Sequence, residues 1–376
     1  MASCLLHQNA DASISIIDIP SSIEIAQGLS TTSRRLLSSD PLTKPHPSVE
    51  PKTEKARERI GEVSLNDLLL CKHLEFALDE AKVEYQGEWC LPRAVADRPA
   101  ETPLNCKKRK NGDSDHKNGP EDESNSALQN AVQLQKNADG QLFFRNSKEE
   151  YLSFRIDSDE TGGKIPSKST LLCGEIASTR DTFMSFAPQF DLIILDPPWP
   201  NRSARRKKSY GISSGSSEIQ KLLSTIPIQE NLAADGTVGI WITNKEAFRD
   251  ILLQPNGIFD EWEVRLVEEW IWLKTTVKGE PVCALDSVWR KPYEILLIGK
   301  RGAPQSKDIK RRVLIGVPDL HSRKPNLKGL FEHMIQKEEY EALEIFARNM
   351  TAGWWAWGNE VLKFQMDSYW IEPRSY

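Results

Sequence analysis

The sequence predicts an α/β fold, a doubly wound sheet covered by helices on both faces, and three observations carry that expectation. Apolar, β-branched runs recur at Phe190–Leu195 (FDLIIL), Thr237–Thr243 (TVGIWIT), Val264–Lys274 (VRLVEEWIWLK), Tyr293–Lys300 (YEILLIGK) and Val313–Val317 (VLIGV). They are nearly continuous rather than alternating, the pattern of strands buried on both faces. Helical stretches at Ser217–Ser224, Lys245–Leu253 and Gly329–Lys337 fall between or after them. The roughly 210 residues from Ile165 to Tyr376 suffice for one such domain.

The preceding residues read differently. Residues 1–97 are expected to form a partly helical accessory region. Within it, Leu65, Leu68, Leu69, Leu74 and Leu78 recur at helical spacing across Ser64–Glu84, with Ser64 followed by Asp67 as the N-cap signature. Residues 98–126 are polar, charged and rich in Gly, Pro, Asn and Ser, too poor in apolar surface to offset the entropy of ordering, and predict a flexible linker. In it, Lys107-Lys108-Arg109-Lys110 resembles a nuclear-localisation signal, with a solvated loop as the alternative. Residues 127–164 connect the linker to the domain expected at 165–376.

Composition excludes several classes. No apolar run approaches the ~18 residues of a membrane span. The first thirty residues lack the basic start and apolar core of a secretory signal, and the first arginine is Arg34, too late for a transit peptide. Cys4, Cys71, Cys90, Cys106, Cys173 and Cys283 are scattered without a C-x-x-C pair, so reduced thiols are expected and neither a zinc site nor a disulfide framework. The net charge of −5 does not exclude a nucleic-acid partner, because binding needs only a local basic face.

The strand FDLIIL runs straight into Asp196-Pro197-Pro198-Trp199. In open α/β sheets, ligands bind beyond the carboxyl ends of strands, so the motif stands where chemistry is expected. Its residue types suit methyl transfer to an exocyclic aromatic amine. The lone pair of such an amine is delocalised into the ring; acceptors on both of its hydrogens favour pyramidalisation and expose the pair. The Asp196 carboxylate and a main-chain carbonyl, that of Pro197, can supply those acceptors. Two consecutive prolines, each with fixed φ and no N–H, hold the turn rigidly. Trp199 offers a stacking face worth about 1–3 kcal/mol per base. The remaining work is alignment of nitrogen, methyl carbon and sulfur, a proximity effect.

At several separated points the chain resembles the MT-A-type adenine-N6 methyltransferases, and within them the methyltransferase-like 4 group. The Asp-Pro-Pro-Trp motif matches directly. Cys173-Gly174-Glu175-Ile176 is similar to the family's upstream cofactor turn, Tyr210-Gly211 to the loop that closes over the target adenosine, and Trp272-Leu273-Lys274-Thr275 to its W-x-K-T strand. Lys324-Pro325 resembles its Lys-Pro helix start; Arg348-Asn349 and Gly358-Asn359-Glu360 resemble its C-terminal cofactor segments. The resemblance implies a Rossmann-like class I methyltransferase domain, permuted so that the catalytic motif precedes most cofactor-binding segments. The missing G-x-G-x-x-G argues equally against a conventional dinucleotide site. It implies S-adenosyl-L-methionine as cofactor, S-adenosyl-L-homocysteine as product and no metal. Asp196, Pro197, Pro198 and Trp199 would be catalytic. Glu175 and Ile176 would hold the cofactor's adenine, Lys324 its carboxylate, and Arg348, Asn349, Asn359 and Glu360 its ribose and amino-acid parts, with Asp196 alongside.

Two basic segments flank the motif: Arg202, Arg205, Arg206, Lys207 and Lys208 follow it, and eight Lys or Arg residues lie between Lys300 and Lys324 against only Asp308 and Asp319. Basic loops beside a stacking pocket suit a single-stranded or flipped-base substrate. Trp199, Arg205, Arg206, Lys207, Lys208, Tyr210 and Lys274 are the expected substrate contacts. RNA is the expected partner, with 2′-O-methyladenosine of small nuclear RNA as the implied target. DNA adenine and a catalytically inactive nucleic-acid scaffold are the alternatives, and an amino-methyltransferase acting on cytosine or glutamine fits less well. The resemblance is also consistent with a monomer supported by its own N-terminal region, and with nuclear or cytoplasmic residence away from membranes. Trp354, Trp355 and Trp357 read as aromatic core rather than a recognition surface.

Overall fold

Eleven strands form one continuous mixed sheet. The computed structural model describes residues 3–28, 34–47, 54, 64–95, 131–156, 162–200, 216–287, 290–304, 306 and 308–371. The linker at 98–126, with its basic run, lies outside them. In chain order the sheet strands are β1 (Leu5–Gln8), β2 (Ile14–Ile17), β3 (Leu142–Arg145), β4 (Thr170–Cys173), β5 (Phe190–Leu195), β6 (Leu232–Ile242), β7 (Val264–Lys274), β8 (Tyr293–Arg301), β9 (Lys310–Gly316), β10 (Ala342–Ile345) and β11 (Trp355–Gly358). Their spatial order is β1-β2-β9-β7-β8-β6-β5-β10-β11-β4-β3. From β4 through β11, β10 and β5 to β6 the pairing is parallel, whereas β8 runs against both its neighbours.

That order is the signature of the permutation expected from the motif order. The chain lays down β4, then β5 three positions away; the C-terminal β10 and β11 fill the intervening space. The expected runs all become strands. FDLIIL keeps its bounds, while TVGIWIT and VLIGV begin earlier, at Leu232 and Lys310, because their leading residues include exposed polar ones that break the apolar pattern.

The boundary drawn at Ile165 does not limit the sheet. β2 pairs in parallel with β9 through Val313↔Ile14 and Ile315↔Ile16, and β3 pairs with β4, so residues set apart as accessory or connecting extend both of its ends. Four-residue strands carry too little periodicity to be seen in sequence.

Helices cover both faces. On one side, α2 (Leu65–Glu84), α3 (Ile176–Phe186), α4 (Ser216–Thr225) and α5 (Glu246–Leu253) pack Leu74, Leu78, Phe183, Leu223 and Leu252 against Ile193, Leu195, Ile240 and Leu297. Ser64 caps α2 as expected, its Oγ accepting from the Asp67 amide at 3.1 Å. On the other side, α1 (Ile19–Ala26) and α6 (Lys328–Ile335) bring Ile19, Leu330 and Phe331 against Leu192, Ile194, Trp241, Trp270 and Leu296. Trp354, Trp355 and Trp357 are buried, as the core reading expects. Side chains alternate across a strand, so the parity separating Ile193 from Ile194 also decides which face each polar residue near a strand end will join. No described helix is long and apolar enough to cross a membrane.

Candidate active site

Continuing the alternation one step beyond β5 puts Asp196 on the α1/α6 face. The same parity puts Trp241 of β6, Lys274 of β7, Glu294 of β8 and Glu344 of β10 there. The loop before α6 contributes Lys324 and Asn326, and the segment after β10 contributes Arg348 and Asn349. Together with Ile194, Leu327, Phe346 and Trp354, most of these line one cleft at the strand ends.

Lys324 is the hub. Its Nζ lies 3.2 Å from both Asp196 oxygens and 2.9 Å from Glu294 Oε2. Lys274 Nζ donates to the other Glu294 oxygen, so two carboxylates and two ammonium groups alternate in a row. Burial opposes ionisation of Glu294, but Lys324 and Lys274 outweigh it and hold the carboxyl at about 2. Burial likewise disfavours the Lys324 ammonium, yet Asp196 and Glu294 move its pKa above the usual lysine value.

Glu344 has the opposite setting. It lines the cleft and accepts no hydrogen bond from the described residues; burial first, then the Asp196 charge, push its carboxyl from 4.5 up to about 8. A carboxyl whose folded value exceeds its unfolded one binds its proton more tightly in the folded chain. The ligand-free protein should therefore lose stability as pH rises from about 4.5 to about 8. Glu344→Gln is expected to abolish that loss, raising Tm relative to the parent at pH 8 and little at pH 4.5. Thermal scans at both values test this, and parallel pH dependences in the two proteins would disprove it.

The cofactor segments named from sequence converge. The Gly174 amide donates to the Gly358 carbonyl at 3.2 Å and the Cys173 thiol to the Asn359 carbonyl at 3.7 Å, which brings the two turns together at the ends of β4 and β11. Arg348 Nε meets Glu360 Oε2 at 3.1 Å, and its Nη1 donates to the Ser322 carbonyl at 3.1 Å. Glu175 stands at the N-cap of α3 with its side chain exposed, whereas the Ile176 side chain is in the core.

Three expectations change. Trp199 does not present a ring to the cleft: it is 5% exposed, its Nε1 donates to the Trp241 carbonyl at 2.7 Å, and it packs on Phe248 with ring centroids 4.8 Å apart. It braces the motif from the α5 side. Lys274, expected at the substrate, is held by Glu294 and lies 4.6 Å over the Trp272 ring. The basic segment 300–324 is largely neutralised. Arg311 and Arg312 pair with Glu269 and Glu268 of β7, Arg323 with Asp319, and Arg301 reaches Glu263 and main-chain carbonyls. Counting charges along the chain missed partners supplied by neighbouring strands. Arg202, Arg205, Arg206, Lys207, Lys208 and Tyr210 lie outside the described residues.

Sequence reasoning also missed Glu294, Glu344, Trp241 and Asn326. The available signal was a lone carboxylate within YEILLIG and within ALEIFA, since burying such a group is costly unless it has a purpose.

Known proteins resemble this chain. Residues 190–360 match the MT-A70 family. The chain is 39% identical to the N6-methyladenosine RNA methyltransferase MTA1 of Cryphonectria parasitica, over 99% of this chain and 95% of that one. It is 36% identical to the N(6)-adenine-specific methyltransferase METTL4 of Homo sapiens over 56% of this chain and 45% of that one. The DNA N6-methyl methyltransferase of Caenorhabditis elegans is 32% identical, with 56% of each chain covered.

Proposed function

Because this chain belongs to the MT-A70 family, we propose that it transfers a methyl group from S-adenosylmethionine to N6 of adenosine in RNA. The observation that carries the reading is the Asp196 carboxylate, fixed by Lys324 at the end of β5 and facing the cleft.

The cleft's own chemistry fits the cofactor. It offers a carboxyl, Glu344, that accepts no side-chain hydrogen bond from the described residues and lies near Asp196, which suits a ligand carrying a cationic sulfonium and an ammonium group. It also offers Arg348 and Asn349 for polar parts, and Ile194, Leu327 and Phe346 for apolar contact. When bound, S-adenosylmethionine supplies the electrophilic methyl. The residues do the rest. Asp196 accepts one N6 hydrogen while Lys324 fixes the direction of its two oxygens. The Pro197 carbonyl accepts the Trp199 amide at 2.8 Å and retains a second lone pair for the other N6 hydrogen. Glu175, Ile176, Asn359 and Glu360 bound the adenosine end of the donor, near the meeting of β4 and β11. Glu294 keeps Lys324 in place rather than touching substrate.

RNA is favoured because the resemblance spanning nearly the whole chain is to proteins named for RNA. A 2′-O-methyladenosine target in small nuclear RNA is the narrower form of the proposal, and it rests on the shorter METTL4 match. Residence in the nucleus accords with that target. Methyl transfer should be measured on matched RNA, 2′-O-methylated RNA and single-stranded DNA, with N6-methyladenine as readout. The expected order is RNA above DNA by at least about tenfold, a difference of ~1.4 kcal/mol in transition-state binding. Equal or greater activity on DNA would overturn the choice of RNA, and a product methylated elsewhere would overturn the reaction.

A further inference from the structure

Helix α1 carries an unusual number of buried polar side chains. Asp18, Ser21, Ser22, Glu24 and Gln27 are each under 5% exposed. Buried polar groups are costly unless bonded, so where their bonds go is informative. Asp18 and Glu24 serve the local fold: Asp18 accepts from the Ser21 and Leu91 amides, and Glu24 from Arg35 and the Leu36 amide. Ser22 directly, and Gln27 through Gln365, reach instead to the two irregular segments that wall the cleft.

Ser22 Oγ donates to the Ile19 carbonyl at 2.6 Å and accepts the Asn326 amide at 2.9 Å. Asn326 lies two residues after Lys324; its Nδ2 donates to Thr351 Oγ1 at 2.8 Å, while its Oδ1 accepts the Lys328 amide at 2.9 Å. Gln27 pairs with Gln365, Nε2 to Oε1 at 2.8 Å, and the same Gln365 oxygen accepts the Met350 amide at 3.0 Å. Gln365 Nε2 is committed to the Lys164 carbonyl at 2.7 Å, and the Ala26 carbonyl accepts the Ala352 amide at 2.8 Å. The segment bearing Lys324 and the segment bearing Arg348 and Asn349 are thus fastened to one helix and, through Asn326 and Thr351, to each other. Neither amide, Asn326 nor Met350, lies in a helix or strand that would otherwise fix it.

We propose that Ser22 and Gln27 are positioning residues for the methyl donor: they set the separation of the two cofactor-holding segments without touching the ligand. The inference rests on the reading of the cleft as the S-adenosylmethionine site. Removing the Ser22 hydroxyl unties the Asn326 amide, and removing the Gln27 amide loosens Gln365, which holds the Met350 amide; each shifts the segment so anchored. The donor's amino-acid end, held from both sides, then binds less well. The reacting groups on Asp196 and Pro197 directly follow β5, and α1 reaches Asp196 only through Lys324, whose Nζ is also held by Glu294 on β8, so the chemical step should change little.

The test uses the full chain with Ser22→Ala, Gln27→Leu and Ser22→Thr, the last keeping the hydroxyl. KM for S-adenosylmethionine, KM for RNA, kcat and Tm are measured for each, and donor affinity by calorimetry. Ser22→Ala and Gln27→Leu are expected to raise KM for the donor by about tenfold, the effect of one lost buried hydrogen bond, with kcat within about threefold and KM for RNA unchanged. Ser22→Thr should return the donor KM to within about threefold of the parent. A merely structural role would lower kcat through a smaller folded fraction at constant donor KM, and that result in the soluble Ser22→Ala protein would overturn the proposal. Arg348→Ala separates the two layers of the argument. Unchanged donor affinity there would sink the cleft assignment, whereas weakened affinity in Arg348→Ala beside an unchanged Ser22→Ala would sink the role of α1 alone.

Discussion

Asp196→Asn is expected to lower the methyl-transfer rate by about 10³-fold, at the upper end of what losing one preorganised electrostatic contact costs, while the protein stays folded. The carboxylate offers acceptors only, and Lys324 Nζ sits 3.2 Å from both of its oxygens. An amide replaces one acceptor with an NH₂ group, which meets either the Lys324 ammonium or an N6 hydrogen donor-to-donor. Shape and packing change little, and Lys324 keeps Glu294 as a partner. The loss should therefore fall on the chemical step. Single-turnover kinetics with saturating donor and RNA would read it directly, with donor affinity within about threefold of the parent as the control. Residual activity above a tenth would mean that Asp196 does not hold the reacting amine.

Lys324→Met should have the second largest effect, and on stability as well as rate. It leaves Asp196 and Glu294 facing each other with only Lys274 to offset them. Removing one partner of a buried ion pair costs about 3–5 kcal/mol, and the side chains here are 17–28% exposed, which places the expectation near the lower limit, about 3 kcal/mol. The pH dependence follows from Glu294. Its folded carboxyl lies below the unfolded value, at about 2, so its contribution is present above about 4.5 and lost as pH falls from there toward 2. The parent and Lys324→Met should accordingly differ most in urea unfolding at pH 7 and converge toward pH 2. Adding Glu294→Gln to Lys324→Met removes one stranded carboxylate and should recover part of the loss, the coupling expected of residues in one network. Additive effects would show that the row of charges is not a unit.

Much of this arrangement was legible in the sequence, for identifiable reasons. Phe190–Leu195 announces itself as a buried strand because the apolar run Leu192–Leu195 leads through Asp196 into two prolines, and the position of Asp196 follows from that alone. The permuted order was implied by cofactor-like segments lying after the motif, and the sheet realises it by seating β10 and β11 beside β5. What sequence concealed was non-local. β10 and β11 are four residues each, too short for periodicity to identify, and β1 and β2 show their purpose only once they pair with the rest of the sheet. The basic run to Lys324 looked nearly unopposed because Asp319 is its one local partner, while Glu268, Glu269, Glu294 and Asp196 come from distant parts of the chain. Trp199 is ambiguous in sequence for another reason. An indole serves a stacking surface and a core equally well, and only its bond to the Trp241 carbonyl and its contact with Phe248 distinguish the two.

The late arrival of β10 has a consequence for how the molecule is made. Roughly 150 residues separate the end of β5 at Leu195 from the start of β10 at Ala342. At about 5–20 residues per second on the ribosome, on the order of ten seconds pass between synthesis of one wall of the cleft and of its neighbour. Throughout that interval β4 and β5 each have an open edge where a strand will later insert, a template for mispairing with other nascent chains. The enzyme's centre is thus the last part of its sheet to close. Translation speed and chaperone cover during those seconds, rather than the stability of the finished fold, should set the yield of active protein.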